Sequence, residues 1–223
     1  DFRLYWIGYF ISHIGDSMQQ TAVTWLLYEI TNSPLKLGLN GAFRAVPMIV
    51  LGLFGGTLAD RFDRRRVLLV TQTILMVLAL LLGLLDQKGH IQPWHTYGVT
   101  LVTAVIRSLD SPARQALVPS LVPRSALPNA IALNSLLWKG TLLLGPSFAG
   151  IAISTIGTEG AFYANGLSFL SVVIALFLMK TSSSGKGRAG SFFKDLKLGL
   201  SYVRAQKIVL AIMLMEAFSS VFG

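Results

Sequence analysis

The 223-residue sequence contains no cysteine. That excludes a disulfide framework, a thiolate zinc site and a cysteine nucleophile. Charge is scarce too: Asp, Glu, Lys and Arg make up 13% of residues, against about 25% in a soluble domain. A soluble fold of this size could not cover itself with so few charges. Acidic residues are rarest, 10 against 19 basic ones, for a formal charge of +9. There is no phosphate-binding glycine loop, no Cys/His zinc spacing and no Ser-His-Asp context. His90 and His95 fall in an expected external loop and His13 in span one, and nothing else in the sequence supports a metal site there. No cofactor is expected, and ATP-driven work would need a nucleotide-binding domain elsewhere.

What fills the sequence is apolar. The AVILMFWYC set reaches 53% and mean hydropathy is +0.62. Windows of about 20 apolar residues, the length that crosses a bilayer, predict an all-α membrane protein. Its spans fall near 4–30, 36–58, 67–86, 96–118, 128–155 and 160–179, with a seventh beginning at 207. Thr31-Asn32-Ser33-Pro34 reads as a helix stop followed by a start, with Pro34 suited to the first helical position. Residues 87–93 read as a polar loop, and Pro119, Pro123 and Pro128 punctuate the next link. Thr158-Glu159-Gly160 is expected to join spans five and six.

Basic residues set the expected orientation. With the N-terminus cytoplasmic, 14 of the 19 fall inside, Lys36 and Lys88 fall outside, and Arg44, Arg107 and Lys139 lie within spans. The bilayer, rather than nucleic acid, is the expected partner of the excess charge. The division is 1–179 as the bundle, 180–206 as a central linker and 207–223 as an incomplete seventh span. Small and basic residues dominate 180–190, and 191–206 reads as an amphipathic helix on the cytoplasmic surface. The seventh span stops 17 residues in, so the sequence is expected to be a piece of a longer chain.

Ionisable groups within spans are costly and face a cavity or a partner. Span one carries Ser12, Asp16, Gln20 and Thr24 at i+4 spacing, with Gln19 alongside. This stripe must line a wet path or meet another polar helix. Asp16 is the candidate for carrying a proton or a substrate cation; a structural bond to a neighbouring span is the plainer reading. Arg44, Arg107, Asn134 and Lys139 are candidate cavity residues, with Glu216 at similar depth in span seven. Three bases against Asp16 suggest an amphipathic substrate with anionic character, although each base, Arg107 above all, could be held in an internal ion pair.

Span two ends in Gly55-Gly-Thr-Leu-Ala-Asp-Arg-Phe-Asp-Arg-Arg-Arg66. This resembles the signature Gly-x-Leu-Ala-Asp-Arg-x-Gly-Arg-Arg/Lys of the major facilitator superfamily, with Asp63 where that family most often has glycine. Residues 111–123 and 128–135 resemble its drug and siderophore exporter branch. Gly145-Pro146-Ser-Phe-Ala-Gly150 resembles the antiporter signature, with Ala149 for one glycine. The resemblance implies the N-terminal six-helix bundle of a major facilitator fold, built from 3+3 inverted repeats, that pairs with a missing C-terminal half. It also implies a multi-pass protein of the bacterial inner membrane rather than an enzyme. Its implied work is proton-coupled efflux of an amphipathic small molecule by alternating access, with the proton gradient as energy source. Gly56, Asp60, Arg61, Arg64 and Arg65 would form a cytoplasmic latch. Asp110 would be the acidic partner of Arg64, unless Arg107, Asp110 and Arg114 merely pair along one helix face. A lysophospholipid translocator and a membrane assembly protein are the alternatives.

Overall fold

The computed structural model describes residues 1–59 and 63–179. Among them, every regular element is helical. The order is α1 (Phe2–Thr31), α2 (Pro34–Ala59), α3 (Arg64–Gln87), α4 (Pro93–Leu121), a 3₁₀ turn (Arg124–Ala126) and α5 (Leu127–Leu178). The linker, the amphipathic helix and the seventh span anticipated for residues 180–223 lie outside the described residues.

Local chemistry sets the ends. Asn32 closes α1 in the left-handed region, φ 48°, and its N–H donates to the Tyr28 carbonyl at 2.7 Å. Asparagine tolerates this conformation at helix ends. Pro34 then opens α2, where its missing N–H costs nothing. After α3, Gly89 (φ 65°) donates to the Asp86 carbonyl and His90 to the Leu85 carbonyl, which makes a Schellman turn. Gln92 and Pro93 start α4, with the His95 ring accepting from the Gln92 N–H at 3.0 Å.

Two expectations are corrected here. Pro119 lies inside α4 rather than in the link after it. Its missing N–H falls within the last turns, where the helix loses one bond and continues. The joint between the fifth and sixth spans falls at Gly157, not at residues 158–160. Gly157 adopts φ 74° and ψ 177° inside α5, a region nearly exclusive to glycine. It divides α5 into two arms, 127–156 and 158–178. Thr158, Glu159 and Gly160 belong to the second arm, and the Thr158 hydroxyl donates to the Asp86 carboxylate at the end of α3.

Short links force successive helices to run antiparallel. One end of the packed helices therefore gathers Tyr5, Leu68, Leu117, Ala130 and Leu176 into an apolar cluster. The other gathers Met18, Leu26, Leu82, Ala149 and Phe162. Small residues bring α1 onto α5: Gly8 lies against the Ser171 backbone, and the Ser171 hydroxyl donates to the Gly8 carbonyl at 2.8 Å. In lipid, close backbone approach and hydrogen bonds of this kind replace the hydrophobic drive between helices. α2 leans on α4, where the Phe43 and Tyr97 rings stack at 5.3 Å.

The outward surface is apolar. Leu35, Ile49, Leu142, Leu143 and Phe177 are all more than two-thirds exposed. Hydrocarbon spread over several helices suits lipid and would be a liability in water. By length and apolar composition together, Arg64–Gln87 and Arg124–Leu178 qualify to cross a bilayer. α1 and α4 carry the charged groups of the interior.

Candidate functional site

The central feature lies between α1 and α4, near the midpoint of each. An Arg107 Nη donates to the Asp16 carboxylate at 2.6 Å. The Arg107 side chain keeps 31% of its surface open and Asp16 keeps 13%. The polar stripe on α1 opens along its length: Ser12 is buried, Asp16 is partly buried, and Gln20 and Thr24 are exposed. Arg44 of α2 lies within electrostatic reach of both charges. Among the described residues no carboxylate pairs with Arg44. The group Asp16, Arg107 and Arg44 therefore carries one positive charge in excess.

A second node sits one turn along α4. Asp110 and Arg114 are 3% and 8% exposed. Both Nε and Nη2 of Arg114 donate to Asp110 Oδ2, at 3.1 and 2.6 Å. Oδ1 accepts from the Thr71 hydroxyl at 2.6 Å and the Gln72 amide at 2.9 Å. The guanidinium also lies 3.7 Å from the Tyr9 ring centroid, a cation–π contact. One carboxylate thus ties α3 to α4, and its arginine reaches α1. Arg114, counted above among the cytoplasmic bases, is a buried side chain within the helices.

The basic segment before α3 is partly described. Asp63 caps α3, its carboxylate accepting from the Arg66 N–H at 2.9 Å. Arg64 donates to the Ala116 carbonyl at 2.9 Å rather than to Asp110, whose oxygens are already taken. Arg65 donates to the Phe177 carbonyl at 3.2 Å, in the last turn of α5, where a cation complements the helix end. Gly56 lies in α2. Asp60, Arg61 and Glu216 lie outside the described residues.

Of the remaining sequence candidates, Gln19 turns to α5: its side-chain oxygen accepts from Asn165 at 2.8 Å. Gln20 stays exposed, as does Lys139, and Asn134 is half-buried. Trp138 is half-exposed and meets the His13 ring edge-on at 4.3 Å. In the antiporter-like segment, Gly145 lies directly against Ser17 of α1, while Gly150 faces open space. Pro146 sits within helical backbone.

Sequence reasoning did not single out Thr71, Gln72, Tyr9 or Asn165. A signal existed for the first two: adjacent hydrogen-bonding side chains in the apolar run of α3, which a survey of charges alone passes over.

A partly buried charge pair between membrane-type helices, beside an Asp/Arg-rich link, is a constellation that known families can be compared with. The family described as "Transmembrane secretion effector", within the major facilitator superfamily, matches residues 1–223. The chain belongs to this family. Its members are membrane-integral transporters, not enzymes. The MFS-type transporter YfiS of Bacillus subtilis strain 168 is 28% identical over 90% of this chain and 48% of its own length. Macrolide efflux protein A of Streptococcus pyogenes is 22% identical over 96% of this chain and 53% of its own length. The enterobactin exporter EntS of Escherichia coli O1:K1 / APEC is 27% identical over 70% of this chain and 38% of its own length. The chain spans about half the length of the curated relatives it matches, or less.

Proposed function

We propose that the chain supplies the N-terminal six-helix half, two inverted three-helix repeats, of a secondary transporter. The whole protein moves amphipathic small molecules outward by alternating access and couples that movement to protons. The observation that carries this reading is the Asp16–Arg107 pair, a carboxylate and a guanidinium meeting at mid-length between two helices of an apolar bundle. Such a pair is expensive in lipid unless it serves a path or a partner. Asp16 is the proton carrier in this reading. Arg44, Arg107 and Lys139 supply charge to the substrate cavity, with Gln20 and Asn134 beside them and Glu216 toward the second half. The excess positive charge favours substrates with anionic character. Asp60, Arg61, Arg64 and Arg65 act at the cytoplasmic gate, and the N-terminus faces the cytoplasm.

Relatives named for macrolide efflux, enterobactin export and staphyloferrin A transport support amphipathic cargo. The test is reconstitution of the full-length protein in proteoliposomes with an imposed pH gradient and a macrolide or a siderophore as probe. Gradient-dependent flux supports the reading; flux indifferent to the gradient, or none, rejects it.

A further inference from the structure

The ion pair is asymmetric. Arg107 keeps more than twice the open surface of Asp16, 31% against 13%, so the accessible edge of the pair is the cation, with the carboxylate behind it. Arg44 adds a second cation within reach. His13, three residues back on α1, and Tyr9, seven back, are the other titratable side chains of α1 within electrostatic reach of Asp16. The His13 ring nitrogens make no hydrogen bond, and that ring packs between Tyr9 at 5.2 Å and Trp138 at 4.3 Å. Among the residues of α5 at this level, Gly145 lies against Ser17, and Asn165 and Ser168 lie against Gly15, none of the three charged. On α4, Arg114 is already committed to Asp110. The half-exposed indole of Trp138 packs edge-on against His13, which stands about one helical turn from Asp16 on α1, and so offers an aromatic surface at the neighbouring level.

We propose that Arg107 is an anion site masked by Asp16, that it accepts a planar aromatic carboxylate resting on Trp138, and that a proton binds to Asp16 as the anion binds. This rests on reading the group as the substrate cavity. The argument is one of linkage. In the unliganded pair, the Arg107 guanidinium donates to the Asp16 carboxylate. A ligand carboxylate that takes the guanidinium withdraws that support, and the Asp16 oxygen takes a proton from water. Equally, a proton on Asp16 frees Arg107 for the ligand. By reciprocity, anion and proton strengthen each other's binding. A lipophilic cation has the opposite relation, because it favours ionised Asp16 and competes with the proton. The sign of proton coupling is therefore set by the charge of the ligand. An anion bound with its proton crosses as a neutral pair, so the membrane potential neither helps nor opposes it, while an inward proton gradient opposes its exit; only a ligand that displaces the proton from Asp16 is exported at the expense of that gradient.

The test uses the full-length protein in detergent with 2-naphthoate as probe. Binding is followed by indole fluorescence, and proton uptake by a pH indicator in weakly buffered solution. Wild type is expected to take up close to one proton per naphthoate, with affinity rising up to about tenfold per pH unit on acidification. Asp16→Asn is expected to bind naphthoate with no pH dependence and no uptake. Arg107→Gln is expected to lose binding, and Trp138→Leu to weaken it severalfold while keeping the proton stoichiometry. His13→Asn keeps the uptake. Naphthoate binding without proton uptake in wild type, or no binding at any pH, overturns the proposal without need of any variant. Uptake that disappears in His13→Asn and persists in Asp16→Asn also overturns it. The transporter reading fails separately, by absence of flux in proteoliposomes.

Discussion

Arg107 on α4 donates to Asp16 on α1 at 2.6 Å, so these two helices are joined by charge at mid-length. Removing either partner strands the other in an apolar setting. Asp16→Asn and Arg107→Gln are each expected to destabilise the detergent-solubilised protein by about 1–3 kcal/mol. The double substitution should cost less than the sum of the singles. A thermal-unfolding double-mutant cycle measures this, and additive losses would show that the pair contributes no coupling.

The Asp110–Arg114 node is more deeply buried, and its carboxylate accepts four hydrogen bonds. Breaking a buried pair by removing one partner costs about 3–5 kcal/mol. Asp110→Ala is expected to fall in that range by thermal unfolding. Arg114→Lys should not restore wild-type stability, because an ammonium cannot reproduce both the two-nitrogen contact with Asp110 and the planar contact with Tyr9.

Glycines make a paired prediction. A Cβ on Gly8 would stand 2.8 Å from the Ser171 carbonyl oxygen, a backbone atom that cannot step aside. Gly41 has open space around the same position. Gly8→Ala is expected to cost about 1–3 kcal/mol by forcing α1 from α5. Gly41→Ala should be neutral or stabilise α2 by up to about 1 kcal/mol. The comparison is read as the difference in melting temperature in one detergent.

Much of this architecture was legible in the residues. The expected spans at 4–30, 36–58, 67–86 and 96–118 sit inside α1 to α4, each ending within a few residues of the observed limits. Apolar length decides a membrane helix, and Asn32 and Pro34 carry their own stop and start chemistry. The joint in α5 was displaced because Thr158 and Glu159 look like loop residues in sequence. Only the backbone reveals that Gly157 alone makes the turn, while the Thr158 hydroxyl bonds Asp86 and the Glu159 carboxylate lies beside Gly157. At the site, spacing identified Asp16 and Arg107 individually. Which base reaches Asp16 depends on how α4 is rotated against α1, and helical periodicity does not fix that rotation. Asp110 shows the same limit: its neighbours on α3 decide its role, and Arg64 reaches a backbone carbonyl instead.

Gly157 yields a further prediction. Its φ of 74° with ψ of 177° is closed to residues with a Cβ, and an added Cβ would also meet the Glu159 carboxylate. Gly157→Ala is expected to cost about 1–3 kcal/mol. Limited proteolysis of membrane vesicles should show the loss as faster cleavage near residue 157. Unchanged cleavage and melting would mean the joint tolerates another backbone.

The central claim is that Asp16 carries the proton of a transport cycle. Its most direct measurement compares wild-type and Asp16→Asn full-length protein in proteoliposomes, in two modes with one transported probe: exchange of labelled for unlabelled probe, and net flux under an imposed pH gradient. The account predicts that Asp16→Asn keeps exchange and loses the response to the gradient. Net flux that follows the gradient in Asp16→Asn as it does in wild type would contradict it.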